Sequence, residues 1–244
     1  MSLLEHCIVP GWAAPKKIRS LQTTRLGGSS INPYGSLNIG SHVGDSPLAV
    51  ARNRILLNTI LPSEPVWLEQ VHGTTVVNAD STGCRPQADA CIARHTASVC
   101  VVMTADCLPV LLCDIQGTVV AAVHAGWKGL AGGVIEATVR ATDVNPQNLI
   151  AWLGPAISQN VFEVGDDVRD LFIETDSKAA DAFISGESGK WFADIYRLAR
   201  MRLNALGVDQ ISGGDYCTYQ DSKQFYSYRR DGMTGRMGTF IWIE

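Results

Sequence analysis

The sequence predicts a mixed α+β chain, an α/β fold of the layered-sandwich kind, and three observations lead there. Short apolar runs rich in β-branched and aromatic residues recur between turn signals, they outnumber segments of helical period, and they follow one another in pairs rather than in strict βαβ alternation. No Pro/Gly/Ser linker, repeat or low-complexity stretch divides the 244 residues, so a single domain over 1–244 is expected.

Near the N-terminus, residues 18–45 (IRSLQTTRLGGSSINPYGSLNIGSHVGD) are dense in Gly, Ser, Asn and Pro and read as one long loop. An ordered loop of that length is usually functional, and Arg25, Asn38 and His42 are its hydrogen-bonding candidates. PVWLEQVH, TTVVNAD, ADACIAR, SVCVVMTAD, LPVLLCD, GTVVAAVHA, LIAWLG and the final GTFIWIE read as strands. Helical period appears in LAGGVIEATVRAT, in DDVRDLFIET and in WFADIYRLARMRLNALG, where Phe192, Ile195, Ala199, Leu203 and Leu206 share a face before a glycine stop.

Composition limits the partners. Hydrophobic residues make up 46% and charged residues 18%, as in ordinary globular proteins, and a net charge of -4 offers no basic face to nucleic acid or an anionic membrane. No apolar run approaches the roughly 20 residues of a membrane span, and MSLLEHCIVPGW lacks the layout of a secretory signal, so a cytoplasmic location is expected. The seven cysteines contain no CxxC pair and mostly sit inside apolar runs, which argues against a disulfide scaffold or zinc ribbon and for a reducing compartment.

Three apolar runs end in a reactive side chain: VWLEQVH in His72, VVMTADC in Asp106 and Cys107, and VVAAVH in His124. If these strands are neighbours, their ends converge. Two imidazoles and a thiolate suit a catalytic zinc, which keeps three protein ligands and leaves a fourth position open. The same residues also read as a metal-free hydrolase, with Cys107 as nucleophile, a histidine as base and Asp106 or Glu69 as orienter. The plainest alternative makes them structural, with Asp106 in a solvated turn.

The remaining polar residues are less pointed. His6 and His95 read as surface residues, and His42 could go either way. GWKGLAGG has neither dinucleotide-fingerprint nor P-loop spacing, so a tight turn is its default reading. Arg229, Arg230 and Arg236, close to Tyr and Phe residues, have the chemistry for phosphate or carboxylate.

TTRLGGSS, SLNIGSHVGD, VWLEQVHGTTV, VMTADCLPVLLCD, AAVHAGWKGLAGGV, AWLGPAIS and SYRRDGMTGR together resemble the bacterial YfiH/YlmD family. Its members are called laccase-domain proteins, polyphenol oxidases, purine nucleoside phosphorylases or peptidoglycan editing factors. The resemblance runs through essentially the whole chain. It implies an αββα layered fold similar to cysteine-hydrolase-like toxins. It also implies a zinc ion on His72, Cys107 and His124, the same three residues acting in catalysis. The implied enzyme is a transferase that phosphorolyses adenosine, inosine and methylthioadenosine and deaminates adenosine. In that setting Arg25 and Arg229 are candidates for the anion, and Asn38 and His42 for the sugar. The rival activity is hydrolysis of L-Ser from UDP-MurNAc-L-Ser, a muramyl precursor. Both imply a small-molecule substrate and neither a nucleic-acid nor a membrane partner. Copper fits less well than zinc: with His72 and His124 used, only His6, His42 and His95 remain, too few for the histidine-rich cluster of a true multicopper laccase.

Overall fold

The computed structural model describes residues 2–187 and 189–244. Its larger sheet contains β3 (Val76–Asn78), β4 (Ala90–Ala93), β6 (Leu108–Asp114), β7 (Val120–Ala125), β8 (Leu149–Leu153) and β12 (Gln210–Gly213), ordered β12-β8-β6-β7-β4-β3. Its smaller sheet contains β1 (Cys7–Ile8), β2 (Ile18–Thr23), β5 (Cys100–Thr104) and β13 (Met237–Ile243), ordered β1-β2-β13-β5. A third sheet of β9 (Glu163–Gly165), β10 (Phe183–Ser185) and β11 (Lys190–Ala193) stands beside α4 (Asp166–Thr175).

The layering follows from the two-residue period of a strand. Val110, Leu112, Ala121 and Val123 join a core with Val134, Ile135 and Val139 of α3 (Val134–Ala141) and Leu198, Ala199 and Leu203 of α5 (Ile195–Leu206). Their neighbours Leu111, Cys113, Val120 and Ala122 face the other way and meet Cys100, Val102, Ile241 and Ile243 of the smaller sheet. On that sheet's far side Val101, Met103, Phe240 and Trp242 pack with Leu37, Ile39 and Leu57, the last from α1 (Pro47–Leu57). The order is helix, sheet, sheet, helix. Because β5 and β6 are buried on both faces, SVCVVM and LPVLL read as continuous apolar runs without polar alternation.

Several elements differ from the sequence reading. The long loop begins only after β2, an inner strand whose polar residues are paired: Gln22 donates to the Thr23 carbonyl and accepts from the Thr239 hydroxyl. PVWLEQVH makes isolated bridges at Val66 and Glu69 instead of a strand. Trp191 to Ala193 belong to β11, and α5 starts at Ile195, where the Asp194 carboxylate accepts from the Arg197 amide. The stretch 130–142 is split at Gly133, whose φ of 94° ends α2 (Trp127–Gly132) before α3 begins. GWKGLAGG is thus mostly the helix α2 and not a plain turn. The helix α1 has no counterpart in the sequence reading. Its buried residues Val50, Asn53 and Leu57 include an asparagine while Leu48 and Ile55 are exposed, so no apolar stripe marks it. Among the described residues, no helix is long and apolar enough to cross a membrane.

One connection positions the site. Thr104 ends β5 in the smaller sheet and Leu108 begins β6 in the larger, so Ala105, Asp106 and Cys107 carry the chain from one sheet to the other.

Candidate metal centre

The three runs that end in reactive side chains do converge. The ligand atoms of His72, Cys107 and His124 lie within 4.8 Å of one another, with Cys107 Sγ 3.8 Å from His72 Nε2. The imidazole rings stand edge to face, their centroids 4.8 Å apart. A tetrahedral zinc with ordinary Zn–S and Zn–N bonds separates its donors by roughly 3.3–3.6 Å. The group is therefore of a size that can hold a metal ion. His42 also approaches this region, whereas His6 and His95 line neither neighbouring cleft, and His95 is 78% exposed beside Asp80.

Asp89 organises the two histidines. Its fully buried carboxylate accepts from the amides of Val71 (3.2 Å), His72 (2.9 Å) and Gly73 (2.6 Å), and from His124 Nδ1 (2.8 Å). Burial alone would raise this carboxyl's pKa; the His124 bond and the amides outweigh it and hold it below the usual range. The amide cradle fixes His72 at a positive φ of 60°, and the Nδ1 bond leaves Nε2 of His124 free to face Cys107.

The charges reinforce one another. Burial would raise the Cys107 thiol, yet the attraction of His124 and hydrogen bonds from both histidines bring it down to about 6. Burial would lower His124, but the Cys107 thiolate and Asp89 lift it to about 9. Both shifts favour a thiolate–imidazolium pair over a neutral thiol and imidazole. Cys7 and Cys113 move the opposite way, pushed up by burial to about 11 and about 12.

Gly126, just after β7, supplies the space. A Cβ there would lie 3.0 Å from Cys107 Sγ, 2.9 Å from His72 Cδ2 and 3.5 Å from His124 Nε2. The glycine keeps one side of the donor triangle open.

Asp106 is no solvated turn residue. It is 8% exposed at a φ of 92°, and its carboxylate accepts from the Thr218 hydroxyl (2.6 Å) and the Arg229 amide (2.7 Å), while its carbonyl accepts from the Ile157 amide (3.0 Å). It ties the sheet crossover to the C-terminal segment and sets α6 (Tyr228–Asp231) beside the thiol. Glu69, the other proposed orienter, is exposed and lines neither cleft.

Two clefts meet over the group. One, of about 320 Å³, is walled by Trp127, Ile157, Phe162 and Ile195, with Arg229 at its side. The other, of about 340 Å³, is walled by His42, Gln70, Thr104, His124 and Arg236. Both include His72, Ala105, Cys107 and Tyr228. Of the substrate candidates, Arg229 and His42 thus reach the clefts. Arg25 and Asn38 line neither. Arg25 donates to the carbonyls of Gly35 and Ser222 and lies over the Tyr226 ring. Asn38 is fully buried, donating to Gly40 O and Asp45 and accepting from the amides of Gly40 and Arg236. Asp89 was not singled out from the sequence, although ADACIA places a carboxylate at the head of an apolar run just as TADCLPV does.

Residues 19–244 match the family described as multi-copper polyphenol oxidoreductase laccase. The chain belongs to this family. Within it, a curated relative from Escherichia coli (strain K12), named purine nucleoside phosphorylase YfiH, is 53% identical over 243 residues, covering 98% of this chain and 100% of the relative. The crystal structure of Neisseria meningitidis protein NMB0706 superposes with a TM-score of 0.94 at 50% identity, over 98% of this chain and 99% of that one. That of YlmD from Geobacillus stearothermophilus gives 0.89 at 29% identity, over 96% and 97%. The resemblance to YfiH and YlmD read from the motifs is therefore a true family relation, and the laccase-like fold of this member carries its His/Cys/His group at the junction of its larger and smaller sheets.

Proposed function

We propose that the chain is a zinc-dependent purine nucleoside phosphorylase acting on adenosine, inosine and methylthioadenosine, and deaminating adenosine, in the cytoplasm. One observation carries this reading: His72 and Cys107 form the shared floor of an aromatic cleft and a polar one. The name of the Escherichia coli relative, 53% identical, supports the activity. The seven free cysteines fit a reducing compartment.

A purine suits the cleft of Trp127, Phe162 and Tyr228, aromatic side chains able to pack on a flat ring, with the Arg229 guanidinium over Phe162 beside them. The sugar then lies over the shared floor with His42 on its far side. Two imidazoles and one thiolate form the donor set of a catalytic zinc. Zinc bound there supplies a Lewis acid with one position left for substrate. Asp89 holds His124 in one tautomer and orientation, and Cys107 needs no separate base to become a thiolate. Arg25 and Asn38 pass from substrate contacts to supports of the loop that carries His42. With two of the five histidines in the group, too few remain for a multicopper cluster, so a true laccase is not part of the reading.

The test is elemental analysis of freshly purified wild type and Cys107→Ala, with base and ribose 1-phosphate release from adenosine and inosine followed in phosphate. Near-stoichiometric zinc and phosphate-dependent turnover in the wild type, both reduced in the variant, are expected. Metal-free protein that still turns over through Cys107, or that cleaves a muramyl-L-serine amide in preference to nucleosides, would replace this reading with a thiol hydrolase.

A further inference from the structure

The polar cleft has features its neighbour lacks. Among the described residues, Arg236 has no carboxylate within 4.0 Å, and its recorded side-chain bonds are both from Nη1, to the carbonyls of Thr234 (3.1 Å) and Gly235 (3.0 Å). No Asp or Glu lines the cleft. Thr104, 1% exposed, belongs to its wall, and its hydroxyl, itself buried from solvent, has no hydrogen-bond partner. A half-buried cation and an imidazole line one void without a carboxylate, and the Cys107 thiolate at its floor is paired with His124, so an oxyanion completes the lining.

The chain also builds a mount for this cation. The Asn38 side chain accepts from the Arg236 amide at 2.9 Å. Gly40 leaves room for the arginine stem: a Cβ there would lie 2.8 Å from Arg236 Cγ and 3.1 Å from its Cβ. His42, two residues on, lines the same cleft. SLNIGSH thus holds Arg236 at Asn38, gives its stem room at Gly40 and brings His42 to the same cleft, a use for the loop that does not require Asn38 to touch substrate.

We infer that the cleft of His42, Thr104 and Arg236 binds the phosphate co-substrate, with Arg236 the residue that sets its affinity; this rests on the phosphorylase reading. The aromatic cleft then takes the base, and the two substrates meet over Cys107 and His72. A phosphate oxygen forms the new bond to the anomeric carbon as the carbon–nitrogen bond to the purine breaks. The bonding pair leaves with the base, which takes up the proton that the phosphate gives up. Arg229 does not compete for this role, since its cleft is walled by Trp127, Ile157, Phe162 and Ile195, which match a ring and not a doubly charged ion.

Initial rates with adenosine against inorganic phosphate test it, in wild type, Arg236→Gln, Arg236→Lys, Thr104→Val and Arg229→Gln, each checked for melting temperature and metal content. Arg236→Gln should raise the phosphate KM roughly 10- to 100-fold with a much smaller change in the adenosine KM, and lysine should recover part of the loss. Thr104→Val should raise the phosphate KM by a smaller factor, and Arg229→Gln should act mainly on the adenosine KM. An unchanged phosphate KM in folded Arg236→Gln, or the reverse pattern between the two arginines, overturns the assignment. If the wild type releases no ribose 1-phosphate, the phosphorylase reading falls by itself. Calorimetric titration with phosphate alone then decides the subsite: binding that Arg236→Gln abolishes keeps it, and no binding removes it.

Discussion

Asp89 is the residue on which the His/Cys/His group depends without belonging to it. It accepts three backbone amides and His124 Nδ1, so one carboxylate sets both the path of the chain through His72 and the ring of His124. Asp89→Asn keeps the shape but exchanges one acceptor oxygen for a donor facing groups that only donate. Metal affinity, measured by competition with a chromogenic chelator, should fall about 10- to 100-fold, the usual cost of losing such a partner. An unchanged affinity would reduce Asp89 to a backbone staple. The thiol offers a second measurement in metal-free protein. With its pKa brought down to about 6, Cys107 gains its nucleophilic form as pH rises through that value, whereas Cys7 and Cys113 stay protonated until about 11 and about 12. Iodoacetamide labelling followed residue by residue should show Cys107 with a midpoint near 6, shifted upward in His124→Ala. A midpoint in the ordinary thiol range would mean that the imidazoles do not pair with the sulfur.

Among the elements, the start of α2 bears most directly on the candidate metal group. Gly126 has a φ of -61° and ψ of 154°, which any residue adopts, so Gly126→Ala tests space and not backbone strain. The added methyl would sit against Cys107 Sγ and His72 Cδ2, and the variant should fold with near-normal far-ultraviolet dichroism while binding metal at least about tenfold more weakly. Full metal content in Gly126→Ala would show that the triangle opens in another direction. The elements that surround this point were legible because the double burial of β5, β6 and β7 leaves unbroken apolar runs whose last residues stand out: His124 ends one, and Asp106 and Cys107 end another. What stayed hidden shares a different cause. In α1, Asn53 lies on the buried face and donates to Ser30, Ser36 and Asn38, so that helix is held by hydrogen bonds to the loop and not by an apolar stripe. In β2, Gln22 and Thr23 satisfy their polarity through Thr239 and the Gly238 amide, contacts made by the far end of the chain. Asp89 was obscured the same way, because its partners come from the 71–73 segment and from β7. Periodicity reports burial by apolar groups and is silent where burial is achieved by polar pairing across long sequence separations.

At the scale of the whole molecule, the candidate metal group sits where the larger and smaller sheets are joined. Cys107 closes the crossover from the smaller sheet to the larger, His124 stands next to last on a central strand of the larger, and His72 comes from the segment ahead of β3. A ligand that binds only when these three meet stabilises the folded state by mass action, about 2.7 kcal/mol when free metal is 100 times its dissociation constant. For a chain of this size each kcal/mol moves the melting point by roughly 2–4 °C. Zinc-loaded wild type should therefore melt about 5–10 °C above chelator-treated protein, and the interval should widen with added zinc. Cys107→Ala provides the control: it should melt near the chelated wild type and respond little to chelator or zinc, since one donor of three is missing. Equal melting points for wild type before and after removal of its zinc, with the removal verified by elemental analysis, would mean that the sheet junction is already rigid and that the metal serves chemistry alone.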